Sequence, residues 1–562
     1  MKNLRILFLT LTLVCTFTFI SKAQENTQND FEISKNIDIF VSLYKQLNTY
    51  YVDNINPGQL IKTAMDAMLK SLDPYTVYIP ESDIEDYKFM TTGQYGGIGA
   101  LIHKSGNYIL ISEPYENFPA DKAGLKAGDK ILEINGKSAK NKTVEEVSTA
   151  LKGQPGTIVT LLLERDSTQK PFLKEISREE IKIDNVPYYG LVGENIGYIN
   201  LSEFKQNAGK DVRDAFNKLN ENKTLKGVII DLRGNGGGLL NEAVNIVNIF
   251  VDKGQLVVKT KGKIKDQDHL HKTMSPAVDT DIPLVILVNE NSASASEILA
   301  GAIQDLDRGV IIGQRTFGKG LVQNIIPLSY NSEMKITIAK YYIPSGRCVQ
   351  ALDYFNRDEE GNAPVMADSL RKAFTTKNGR LVYEGSGIEP DIKVEVPEFN
   401  NITYALLNKN HFFDFSIVYN RKTPSIAPAA QFTVTDDLYN EFINYLKGKD
   451  YTYSTESELV LDDFKKAAEM EKYFEAVKSD YESLKEKILK EKDNDLTANK
   501  DQIKQVLKMY IVPLYYYQKG RIESSLNDDP DVLKAVEILK NKERYKSILD
   551  GTHCETENKN KK

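Results

Sequence analysis

Apolar positions near the start of the chain recur at helical spacing. Ile37, Phe40, Val41, Tyr44 and Leu47 fall on one face of a 3.6-residue repeat, and Leu60, Ile61, Ala64, Met65, Met68 and Leu69 repeat the pattern after a break at Pro57-Gly58. From about Thr92 to Asp166 the pattern changes to short strands between glycine turns. These are Gly96 to Leu101, Tyr108 to Ile111 and a final strand from Thr157 to Glu164, with a helix predicted from Thr143 to Leu151. Between Ile181 and Phe250 strand and helix alternate. Leu225 to Arg233 reads as a buried strand, Gly234-Asn235-Gly236-Gly237-Gly238 as a turn and Leu239 to Val251 as an apolar helix. The same order returns with a strand at Leu284 to Val288, a break at Asn289 to Asn291, a helix from Ser294 to Asp305 and a short strand at Val310 to Ile312. Uninterrupted β-branched runs suit a parallel sheet covered on both faces.

Asp252 to Asp281 reads as polar and irregular. Later strand-like pieces, Lys335 to Ile343 and Ile388 to Val394, flank a polar excursion from Asp353 to Lys377. Leu438 to Leu446, Glu456 to Lys490 and Leu496 to Tyr517 read as long helices with mixed charge, and Leu459, Leu461, Phe464, Ala467 and Ala468 as a packing stripe. The expected fold is α/β and α+β multidomain.

Length and charge narrow the function. At 562 residues the chain exceeds one hydrophobic core, and about three to five domains are expected. A net charge of -7 argues against nucleic acid as a partner, because phosphate binding needs a basic surface. Residues 1–23 have the parts of a secretory signal: Lys2 and Arg5, the apolar Ile6 to Ile20, and Ser21-Lys22-Ala23 as the cleavage site. The mature chain is then expected to begin at Gln24 and to be exported, periplasmic in type, with membrane association if the signal is retained. A lipid anchor on Cys15 is disfavoured by the bulky Val14 before it. Cys348 and Cys554 are expected as free thiols rather than a bridge. The tail from Asn558 to Lys562 reads as plain disorder.

Candidate chemistry concentrates between Pro283 and Gln323. Ser294 falls where a strand turns into a helix, so unpaired helix N–H groups and the helix dipole favour an anion beside it. Ser292, Ser294 or Ser296 serves equally well as an ordinary N-cap. Lys319 stands between two glycines. If buried, its charged form is penalised and the neutral amine can take a proton from a serine hydroxyl. Gln323 lies four residues on, able to hold the amine in position. The glycine turn at 234–238 lacks a following Lys-Ser/Thr and GxGxxG spacing, so it suits an oxyanion hole better than a nucleotide. His269 and His271 lack a completing carboxylate or cysteine set and read as loop surface.

SASASEI followed by TFGKGLVQ resembles the carboxyl-terminal processing peptidases, serine proteases with a Ser-Lys pair. The resemblance implies Ser294 as nucleophile, Lys319 as general base and Gln323 as the residue orienting the lysine, with Glu297 and Asp305 as supports. DLRGNGG resembles the family's oxyanion motif, which implies N–H groups of Gly236 or Gly237, with Ala295, at the oxyanion; Gly237 is the assignment taken forward. AGLKAGDKILEING resembles a PDZ domain, so Gly97, Ile98, Gly99 and Ala100 are implied to receive a substrate's terminal carboxylate. SLDPYT resembles the segment closing the family's N-terminal helical region. A homodimer through those helices and a cover packed on its own chain both fit.

The expected layout is a signal peptide at 1–23, an N-terminal helical region at 24–91, a PDZ domain at 92–175, a protease core at 176–397 and a C-terminal helical domain at 398–562. The function implied is a secreted serine endopeptidase that grips C-terminal tails and cuts near them. It needs no metal or cofactor, its partners are proteins with exposed tails, and a regulatory adaptor is a further partner. A catalytically inactive PDZ scaffold is the rival from another class, and a cell-wall amidase shares the chemistry but leaves the PDZ groove unexplained.

Overall fold

The computed structural model describes residues 29–84, 94–165, 170–395 and 398–552. The candidate signal, Cys15, Thr92, Asp166, Cys554 and the lysine-rich tail lie outside the described residues. The chain divides into two compact units, one ending at Glu81 and taking in Gln323–Ile336, the other formed by Ser82–Val322 and Thr337–Lys562.

The first unit contains a helix over residues 29–50 and another at Pro57–Lys70, which starts with proline and is capped by Asn56 accepting from Gln59 N at 3.2 Å. Val77–Ile79 pairs antiparallel with Glu333–Lys335. The helical stripe forms where its spacing predicts, yet Ile37, Phe40, Val41 and Leu47 stay exposed.

In the second unit the first module is an antiparallel sheet in the order Ala100–Ser105, Tyr108–Pro114, Lys130–Ile134, Ile158–Glu164 and Phe172–Ser177, with the helix Val144–Leu151. Ile109, Ile111, Ile131, Val159, Leu161 and Leu163 are fully buried in it. The expected last strand is the penultimate one. Phe172–Ser177 follows it, with an alternation of half-exposed and charged positions too weak to mark a strand.

The centre is a six-stranded sheet running Tyr188–Val192, Ile196–Asn200, Gly227–Asp231, Leu284–Val288, Val310–Gly313 and Ile392–Lys393. After the first antiparallel pair, every pairing is parallel. Side chains alternate faces along a strand, and both faces are apolar here. Val228, Ile230, Leu284, Ile286 and Val288 pack with the helices Ala208–Leu219, Leu240–Phe250 and Ala295–Asp305. Ile229, Val285, Leu287, Val310 and Ile312 pack instead with Val532, Ala535, Ile538, Leu539, Tyr545 and Ile548. The helices Pro530–Lys540 and Lys542–Leu549, which escaped the sequence reading, therefore cover the sheet's second face. Tyr545 fixes them there, its hydroxyl accepting from Leu284 N at 3.0 Å.

Three expectations need correction. Leu496 to Tyr517 is not one helix but Asp495–Ala498, Lys500–Ile511 and the start of Pro513–Ser525, whose proline cannot donate to a continuing helix. Asp252 to Asp281 is not irregular throughout: it holds strands at Leu256–Gly262 and Leu270–Lys272, concealed because outward-facing lysines interrupt the apolar run. The long helix expected from Glu456 to Lys490 is two, Glu456–Met470 and Phe474–Asp493, separated by a turn in which Lys472 has φ 62°. On the first, Leu461 and Ala468 are buried, whereas Leu459 and Phe464 are not. Among the described residues, no helix is long and apolar enough to cross a membrane.

The C-terminal helices also pack on the first module. Leu110 meets Phe413 and Ile417, and the His103 ring stands edge-on to Phe413 with centroids 4.7 Å apart. Tyr517, at φ 52° and ψ -162° inside Pro513–Ser525, donates its hydroxyl to Asp121 at 2.9 Å. Arg521 pairs with Glu113, a carboxylate only 7% exposed. Burial pushes the Glu113 carboxyl up and the Arg521 guanidinium pulls it back. Arg521→Ala is expected to cost about 1–3 kcal/mol by stranding that charge, and Arg521→Ala with Glu113→Gln to recover most of the loss in a thermal-unfolding double-mutant cycle.

Candidate active site

Ser294 is the residue immediately before the helix Ala295–Asp305, with φ 56° and ψ -112°. A non-glycine residue there is strained, and such strain persists only where surrounding contacts enforce it. Those contacts are present. Ser292 Oγ donates to Leu232 O at 2.8 Å, Ser296 Oγ to Asn235 O at 2.8 Å, and Ala293 N to Asn235 O at 3.1 Å. The two flanking hydroxyls thus stitch the turn to the neighbouring strand end, which leaves half-buried Ser294 as the nucleophile candidate among the three serines.

Glu297, completely buried one turn into the helix, joins this turn to the lysine loop. Its Oε2 accepts from Ser294 N at 2.9 Å and from Lys319 N at 2.8 Å, while Oε1 accepts from Thr316 Oγ1 at 2.6 Å and Gly318 N at 2.7 Å. Burial pushes this carboxyl up from its ordinary range, while the four hydrogen bonds it accepts favour its ionised form. The fully buried Tyr341 adds a second tie, its hydroxyl 2.8 Å from Lys319 O and 3.1 Å from Ser294 O. Ser294 and Lys319, 25 residues apart in sequence, are brought together by these shared partners. Gln323 lies half-buried on the strand Leu321–Pro327, where the chain passes into the other unit.

The glycine turn faces the same point. A Cβ on Gly237, whose φ is 103°, would lie 2.8 Å from Ser294 Cβ and 2.9 Å from Ala295 N, so only glycine fits. Gly237 N donates to Asn235 Oδ1 at 2.9 Å, and Asn235 Nδ2 donates to Leu201 O at 2.8 Å. Among the described residues, the N–H groups of Ala295 and Gly236 have no acceptor. An oxyanion beside Ser294 therefore finds Ala295 N–H open, whereas Gly237 N–H is already engaged. Asp305 stands at the opposite end of the helix, buried against Arg347 at 2.9 Å and accepting from Ser345 N, and so supports the site from a distance. Asn235 and Thr316 fall inside the DLRGNGG and TFGKGLVQ motifs but carry no role in the sequence reading, and Tyr341 reads as an ordinary strand residue.

In the first module Gly97 ends the strand Gln94–Gly97, Ile98 and Gly99 form the connection, and Ala100 opens the next strand. A pocket of about 50 Å³ lies between that strand and the helix, lined by Tyr95, Ile98, Ala100, Ile102, Ser148 and Leu151. Cys348 is a free thiol, which burial pushes up. The His269 and His271 rings stand 6.1 Å apart on the edge strand Leu270–Lys272 and its approach.

Residues 195–355 match the model of peptidase family S41, residues 110–165 that of a PDZ domain, and residues 402–539 that of the probable PDZ-protease C-terminal helical domain. A carboxy-terminal-processing protease of Bartonella bacilliformis is 35% identical over 353 residues, 62% of this chain and 80% of that protein. A probable CtpA-like serine protease of Staphylococcus aureus is 33% identical over 371 residues, 65% of this chain and 66% of that protein. The solved photosystem II D1 C-terminal processing protease is 26% identical, covering 63% of this chain and 92% of its own, with a TM-score of 0.35. The chain belongs to peptidase family S41, the carboxyl-terminal processing peptidases, and is a serine-type peptidase with a PDZ domain.

Proposed function

We propose that this is an exported endopeptidase that binds the C-terminal tail of a protein substrate in its PDZ groove and cleaves near that end by a Ser-Lys mechanism. The observation that carries the reading is the sharing of one Glu297 oxygen by Ser294 N and Lys319 N, because it fixes nucleophile and base to one another. Neutral Lys319 takes the Ser294 proton as Ser294 Oγ attacks the scissile carbonyl, and Gln323 orients the amine. Ala295 N–H and the glycine turn stabilise the oxyanion. The protonated amine then passes its proton to the leaving amine, and water, activated by the same lysine, releases the acyl group.

The tail adds a strand beside Ala100–Ser105, with its carboxylate at Gly97 to Ala100 and its terminal apolar side chain in the pocket between Ile98 and Leu151. The signal-like residues 1–23 support export to a periplasmic compartment. The exposed apolar face of the helix over 29–50 supports a homodimer formed through that helix.

Ile98→Arg, placing a charge in the pocket, tests the tail reading. It is expected to raise KM at least about tenfold for an unstructured protein ending in apolar residues, with kcat for a short ester substrate unchanged. Equal kinetics of parent and variant on both substrates would remove the PDZ groove from the mechanism.

A further inference from the structure

We infer that Asp529 and Asp531, contributed by the C-terminal helical region, are positioning residues of the catalytic centre: they hold Arg233, and through it the glycine turn beside Ser294. The inference rests on the reading of Ser294 as nucleophile.

Arg233 is the last residue before the turn, and its guanidinium is gripped from two sides. From its own strand, Asp231 Oδ2 accepts from Nη2 at 2.7 Å and Asp231 Oδ1 accepts from Nε at 3.0 Å. From the C-terminal region, Asp529 Oδ1 and Asp531 Oδ2 accept from Nη1 at 2.9 and 2.8 Å. Each grip is anchored to something rigid. Tyr198 donates to Asp231 Oδ2 at 2.6 Å from the neighbouring strand. Asp529 caps the helix Pro530–Lys540, accepting from Asp531 N and Val532 N, and that helix is bound to the sheet by the fully buried Ala535 and Ile538. Asp531 is 3% exposed, and Gln314 Nε2 approaches its Oδ1 at 3.4 Å while donating to Val394 O at 2.8 Å.

Three carboxylates around one guanidinium are a poor device for stability. A buried ionic array is frequently matched or exceeded by apolar packing, and here acids outnumber the cation. What the array supplies is a fixed position. Arg233 N is tied to Asp231 Oδ1 at 2.9 Å, Gly234 N to Asn289 Oδ1 at 2.9 Å, and the next residue, Asn235, carries the acceptors that hold Ala293, Ser296 and Gly237. The turn is thus fixed at its root by Arg233 and at its tip by the serine loop. Removing the Nη1 partners frees the root and loosens the wall against which the oxyanion forms. The expected consequence is slower acylation at nearly unchanged substrate binding, because displacement of a catalytic wall by about 1 Å costs up to about a hundredfold in rate.

The test uses the full-length protein and a fluorophosphonate probe that phosphonylates an activated serine with loss of fluoride, alongside kcat and KM on an unstructured protein. Asp531→Ala is expected to lower both the labelling rate and kcat about ten- to a hundredfold with KM within about twofold. Asp531→Asn, which keeps an acceptor oxygen, restores most of the rate. Leu539→Ala removes packing from the same helix but no carboxylate, and keeps the parental kcat per folded molecule. Losses in Asp531→Ala and Leu539→Ala proportional to their unfolded fractions, or parental labelling in Asp531→Ala, overturn the inference. A folded parent that does not label, like Ser294→Ala, overturns the nucleophile reading and this inference with it. A parent that labels while Asp531→Ala labels equally fast overturns this inference alone.

Discussion

Ser294→Ala and Lys319→Ala are each expected to lower turnover by a factor on the order of 10⁴ to 10⁶, and the double substitution to be no worse than either. In the proposed mechanism the two residues act in one step, proton removal from the hydroxyl during attack, so losing one leaves the other without a task. Both sit in the frame set by Glu297 and Tyr341, so neither substitution removes a buried packing group, and the fold is expected to survive. Turnover of an unstructured protein, with circular dichroism as the folding control, reads this directly. Acylation by the parent is further expected to quicken as pH rises through the neutral to alkaline range, until the base is fully deprotonated. A flat profile there, or Lys319→Ala with more than about a tenth of parental activity, would show that lysine is not the base.

The second large effect belongs to Glu297, a group that touches no substrate. Glu297→Ala strands four donors in a completely buried site: the N–H groups of Ser294, Gly318 and Lys319 and the hydroxyl of Thr316. The expected cost is about 3–5 kcal/mol, measured by denaturant unfolding, together with a kcat at least about a hundredfold lower in the molecules that remain folded. Glu297→Gln is nearly isosteric yet is not expected to rescue, because its amide would aim an N–H at neighbours that are themselves donors. A glutamine variant with parental stability and rate would mean that the carboxylate merely fills space.

Much of this architecture was legible in the chain because burial on both faces leaves an unbroken apolar run. Leu284 to Val288 could be read as a core strand for that reason, and the asparagines after it as its end. The glycine turn is legible because glycine is irreplaceable where Gly237 approaches Ser294, and Lys319 stands out as a candidate because a lysine between glycines is uncommon. What stayed hidden depends on distance in sequence. Asp529 lies nearly three hundred residues from Arg233, and nothing local in LNDDPDVLK separates a helix cap from an anchor of the catalytic turn. Tyr341 reads as one more strand tyrosine until its hydroxyl is placed between two carbonyl groups. The strand Leu256–Gly262 was lost because charged side chains on its outer face mask the inner pattern.

The order in which the chain is made gives the sheet's second covering a meaning in time. Ile229, Val285, Leu287, Val310 and Ile312 are closed off by Val532, Ala535, Ile538, Leu539, Tyr545 and Ile548, residues that emerge from the ribosome after every strand of that sheet. Before that segment is in place, the second face of the central sheet is expected to be exposed, and among the described residues Asp231 alone remains to accept from the Arg233 guanidinium. A chain lacking that segment is therefore expected to expose an apolar sheet face and to leave Arg233 without its Asp529 and Asp531 partners.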